Sequence, residues 1–129
     1  MIPTWRDVNA AIRDLDAPGP RTAELVYAAE KALSFPLSEW EIFDLTIDRN
    51  RRHPLTGTDA AIAWVERLVP GTRLQFWNQA AGGGWCATVT CREEGVEAQA
   101  LALSLPFALL KAAVEAKVDL DLFSQPGLT

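Results

Sequence analysis

The sequence predicts an α+β domain: a helical hairpin and a third helix, a three-stranded antiparallel sheet and a C-terminal helix, layered as an α/β/α sandwich. Three observations carry that expectation. Apolar residues recur at helical spacing before residue 70 and again after residue 104. Between them, three short β-type segments are joined by glycine-bearing links, as in a meander. Both faces of those segments carry large apolar side chains, so a cover on each side of the sheet is expected. With 129 residues, 49% of them hydrophobic, a single domain can bury a core without disulfides or metals. Within it, residues 1–34 read as the hairpin, 35–57 as an irregular connection, 58–117 as helix, meander and helix, and 118–129 as a fraying tail.

Thr4 and Asp7 form a variant of the capping box, and Trp5, Val8, Ile12 and Leu15 follow on one helical face. The first helix is therefore expected from Trp5 to Leu15. The segment 16-DAPGP-20 ends it, and Pro20 is placed to begin a second helix up to Ser34, with Leu25, Ala28, Ala29 and Ala32 on one side. A link this short implies an antiparallel pair. Beyond it, 42-IFDLTID-48 alternates like a short edge strand, and 49-RNRRH-53 is a basic knot.

Thr58 reads as the N-cap of a third helix with Ala61, Trp64, Val65 and Leu68 inward, ending at 70-PG-71. Strands are expected at 73–78, 85–92 and 96–103, with Leu74 and Phe76 on one face and Trp77, Leu101 and Leu103 on the other. Ser104 caps the last helix, Pro106 sits in its first turn, and Phe107, Leu110, Ala113 and Val114 make a buried stripe up to Lys117.

A net charge of −5 argues against general nucleic-acid binding, which needs clustered cations to displace counterions. Cys86 and Cys91 are an odd number of residues apart on one strand, so they point to opposite faces and cannot pair. The opening MIPTWRDVN has no apolar signal core, and no apolar run reaches membrane-spanning length. A cytoplasmic protein with reduced thiols and no membrane association is expected.

The run 79-QAAGGGWCATVTC-91 raises the question of a phosphate cradle. Such a loop needs a Lys-Ser or Lys-Thr and a helix after it, whereas a strand follows here, so the glycines read as a hairpin connection. A metal site on the two cysteines would have only His53 as a further soft or imidazole ligand, and a cysteine nucleophile would have only His53 as its base. Neither makes a site; no metal, cofactor or catalytic residue is expected. The pairs Glu93–Glu94 and Asp119–Asp121 read as solvated surface, and Asp14, Asp16, Asp44 and Asp48 as dispersed charge. The candidates for partner binding are the basic residues Arg49, Arg51 and Arg52, and two tryptophans outside the core stripes, Trp40 and Trp77.

The stretches 55-LTGTDAAIAWVERLVPGTRLQF-76, 84-GWCATV-89 and 97-EAQALALSLPFALLKAAVEA-116 carry a T-G-[ST]-D-A-A helix opening, a Gly-Trp-x-Ala strand and a Pro-x-A-L-L-x-A helix. In these the chain resembles the phage ABA sandwich domain family of small bacteriophage and prophage proteins. The segment 15-LDAPGPRTAELVYAAEKAL-33 is similar to the helical hairpin that precedes the domain in such proteins, whereas residues 35–53 depart from the family pattern. The resemblance implies helices on both sides of a small sheet and a phage or prophage origin, and it implies no activity.

A non-catalytic accessory protein with a protein partner is therefore expected, self-association remaining open. An inhibitor of a bacterial defence system such as CRISPR-Cas, or a small-molecule or signalling-nucleotide binder using residues 49–53, are the alternatives.

Overall fold

The computed structural model describes residues 4–32, 55, 57–79 and 83–123. Its elements are α1 (Trp5–Ile12), α2 (Thr22–Ala32), α3 (Thr58–Leu68), β1 (Arg73–Asn78), β2 (Trp85–Cys91), β3 (Val96–Ala102) and α4 (Leu105–Phe123). The protein is thus α+β, with four helices and a three-stranded antiparallel sheet in the order β1-β2-β3. Of the connection expected at 35–57, residues 35–54 and 56, with the edge strand at 42–48, lie outside the described residues.

Local chemistry places most of these elements. The Thr4 hydroxyl accepts from the Asp7 amide at 3.1 Å while the Asp7 carboxylate accepts from the Thr4 amide at 2.9 Å, which closes the capping box of α1. Ser104 Oγ accepts from the Phe107 amide at 3.3 Å at the start of α4. The turn into β2 needs glycine at position 84: its φ is +100°, and a Cβ there would stand 2.8 Å from the Ala102 carbonyl oxygen. Glycine is required here because the backbones at Gly84 and Ala102 approach too closely for a side chain.

Several boundaries differ from the sequence expectation. Helix α1 ends at Ile12, and the Leu15 amide donates to Ile12 in a tighter turn. Helix α2 begins at Thr22 rather than Pro20, with the Thr22 hydroxyl accepting from the Gly19 amide at 2.8 Å. Its buried face is Thr22, Val26 and Ala29; Leu25 is half-buried and Ala28 exposed. Gly57, not Thr58, is the N-cap of α3, and no side chain caps that end. The residues expected to fray, 118–123, continue α4. Val118 and Leu120 pack against the core, and Lys117 pairs with Asp121 at 3.6 Å. An exposed i,i+4 pair contributes only about 0.3–0.5 kcal/mol, so apolar contact is the larger cause of the extension.

The order of layers follows from α4. It packs against β2 and β3 on one side and against α1 and α3 on the other. Its buried positions therefore go round the helix, Phe107 through Val114 and Ala116, rather than forming the single stripe expected. The row of alanines, Ala108, Ala112, Ala113 and Ala116, lets neighbours approach closely while the larger Phe107, Leu109 and Leu110 fill the space between layers. Across the back of α4, Trp5 of α1 meets Trp64 of α3 edge-to-face, centroids 6.1 Å apart. Among the described residues, the helices thus stack behind the sheet face that carries Ala87, Val89, Ala98 and Ala102. The expected second cover, for the face carrying Trp77 and Leu101, is not among them.

Candidate functional site

The register of the sheet builds a row on its outer face. Trp77 of β1 stands opposite Cys86 of β2, and Cys86 opposite Leu101 of β3. Directly opposed residues share a face and touch through their side chains. The flanks of this row are open, with Trp77 46% and Leu101 50% exposed, while Cys86 between them is buried. Gln99 also leans inward, its amide donating to the Cys86 sulfur at 2.9 Å. Leu103, 61% exposed, extends the apolar surface past the end of β3. The arrangement is a hydrophobic ridge with polar neighbours, Gln75 and Gln99, in the adjacent row.

Of the sequence-predicted binding residues, the structure places Trp77 on this ridge. Trp40, Arg49, Arg51 and Arg52 lie outside the described residues. The two cysteines are free and buried, Cys86 on the outer face and Cys91 on the core face. Burial, reinforced by the nearby Glu94 charge, pushes the Cys91 thiol above its ordinary range. Such a thiol is a poor nucleophile at neutral pH. Among the described residues no group of His, Cys, Asp and Glu is arranged to hold a metal ion. Nor does any described helix have the length and apolarity to cross a membrane.

A second location was missed by sequence reasoning. Lys111, in the middle of α4, is 6% exposed and donates from Nζ to the carbonyls of Leu15 and Leu101, each at 2.6 Å. Its amine also lies 5.5 Å from the centre of the Phe107 ring. Burial pulls its pKa below the ordinary lysine value, while Asp16 and Asp14 oppose the shift. Beside it a pocket of 540 Å³ opens between α1, β3 and α4, lined among others by Arg13, Asp14, Asp16, Gln99 and Glu115. One turn along from Lys111, Glu115 has its pKa raised by burial and then by Asp119, with Arg13 working the other way.

Asp14 and Asp16 are therefore not merely dispersed solvated charge: the fold brings them to one polar pocket. The chemistry of the Lys111 contacts is that of a clamp. A buried ammonium joins the segment that follows α1 to the end of β3, satisfying the carbonyls of Leu15 and Leu101.

Comparison with known proteins adds nothing to this geometry. No family model, curated protein or solved structure matches the chain.

Proposed function

We propose that this is a phage- or prophage-encoded accessory protein that acts by binding a macromolecular partner rather than by catalysis. The observation that carries the reading is the ridge of Trp77, Leu101 and Leu103, large apolar side chains left open on the outer face of the sheet. A tryptophan flanked by aliphatic side chains and rimmed by amides is the composition of a protein-binding anchor, and few such residues supply most of an interface's energy. The resemblance to phage domain proteins supplies the setting for this reading and no chemistry, and inhibition of a host defence system is one form the binding would take.

The test is affinity capture from host cells with the wild type beside Trp77→Ser and Leu101→Ser. Both substitutions replace exposed side chains, so melting temperatures stay close to wild type. The reading expects a partner retained by the wild type and lost from both variants; capture that ignores both substitutions refutes it.

The polar pocket beside Lys111 favours a second reading, a small-molecule binder. Its ligand would bear charged or strongly hydrogen-bonding groups, matched to Arg13, Asp16 and Glu115. A thermal shift on a metabolite panel, abolished by Arg13→Ala, supports that reading; an unchanged melting temperature across the panel removes it.

A further inference from the structure

The two edges of the sheet are finished differently. In an antiparallel pair, bonded and non-bonded residue pairs alternate, so one bond fixes the pattern. The Gln79 amide donates to the Gly84 carbonyl at 3.0 Å, in the same register as the β1–β2 pairing. Arg73, Gln75 and Trp77 therefore turn their backbone groups toward β2. Leu74, Phe76 and Asn78 turn theirs outward.

By the same alternation, Leu101 and Leu103 face outward from β3. That edge is used: the Leu101 carbonyl accepts from Lys111, and the Leu103 amide donates to the Asp16 carbonyl at 2.7 Å. On β1, every residue except Leu74 is exposed, and the strand stands at the sheet's edge among the described residues. Its own sequence, RLQFWN, contains no proline, no lysine and no inward-pointing charge to blunt that edge.

We infer that the β1 edge is an interface between two copies of this chain, paired antiparallel about a two-fold axis at Phe76. In that register Leu74 faces the second copy's Asn78 and Phe76 faces the second copy's Phe76. All outward amides and carbonyls of these residues then find partners. On the outer face Gln75 meets the second copy's Trp77, and Arg73 meets Gln79, so no like charges oppose. The core face explains why the site suits a copy of itself. Helix α4 lies over β2 and β3, leaving Phe76 41% exposed on the side where an aromatic residue is otherwise buried. The pairing keeps both helical layers on one side and brings the two Phe76 rings together in that gap. It also joins the two outer ridges into one six-stranded surface. This interface goes beyond the partner-binding reading and does not depend on it, since a monomer carries the same ridge.

The experiment is sedimentation equilibrium of the full chain over a wide concentration range, with hydrogen exchange of the backbone amides. Phe76→Pro removes an outward N–H group together with the ring, and Asn78→Pro an outward N–H group with its side chain; both spare the N–H groups that bond to β2, and circular dichroism and the melting curve verify that the β1–β2 ladder is whole. The inference expects a dimer for the wild type, amides of residues 74, 76 and 78 protected in it, and association weakened by at least about tenfold in each variant. Three results overturn it: a wild type that stays monomeric at every concentration, a dimer indifferent to both prolines, or those amides protected in a monomer, which would mean that another segment of the same chain holds the edge.

Discussion

Lys111 Nζ lies 2.6 Å from the Leu101 carbonyl oxygen, joining the central helix to the outward edge of β3. The same amine holds the Leu15 carbonyl, 96 residues earlier in the chain. One side chain thus ties together the segment after α1, the sheet and α4, and with the Leu103–Asp16 backbone bond it covers the β3 edge.

Lys111→Met keeps the aliphatic stem and removes the donor. It is expected to cost about 1–3 kcal/mol for each carbonyl left without a partner, read from urea unfolding. The pH dependence has a definite sign. Lys111 has a folded pKa below 10.5, so between that value and 10.5 the unfolded chain binds the extra proton. Its contribution to stability grows as pH rises through the folded value and levels off above 10.5. The gap between wild type and Lys111→Met should therefore widen with alkaline pH; a constant gap would show that the Lys111 amine is not perturbed.

Glu115 behaves in the opposite way. Its folded pKa is raised above 4.5 by burial and by Asp119, so the native state holds its proton more tightly than the unfolded chain. The resulting stability is present below pH 4.5 and is lost as pH rises through the folded value. Glu115→Gln should then be more stable than wild type at pH 7, the difference shrinking toward pH 4. Equal stability at both pH values would remove the argument.

The turn into β2 gives a paired prediction. Gly83 and Gly84 both have positive φ, but a Cβ on Gly83 meets nothing within 4 Å whereas one on Gly84 meets the Ala102 carbonyl. Gly83→Ala should cost about 1 kcal/mol of backbone strain, and Gly84→Ala more, because the β2 and β3 backbones must also separate. Thermal or denaturant unfolding of the two variants ranks them directly.

The strands were legible in the sequence to within one residue, because alternation and glycine links are local signals, and the phase of Trp77 against Leu74 and Phe76 already put it on the opposite face. The single stripe assigned to α4 was too narrow. Its alanines carry no periodic contrast, and only the presence of layers on both sides shows why Ala108 and Ala112 are as buried as Leu110. Lys111 was illegible for a related reason: its partners are backbone carbonyls from the segment after α1 and from β3, which no side-chain pattern announces. Trp77 is the one predicted binding residue that the described structure places on a surface with further apolar residues.

The most direct measurement for the central claim is site-specific photo-crosslinking in host cells, with the photoreactive residue at position 77 and, in a second protein, at Glu66, which is exposed on α3. Binding through the outer face of the sheet predicts a discrete adduct with another protein from position 77 and none from position 66. No such adduct from position 77, or the same adducts from both positions, would contradict it.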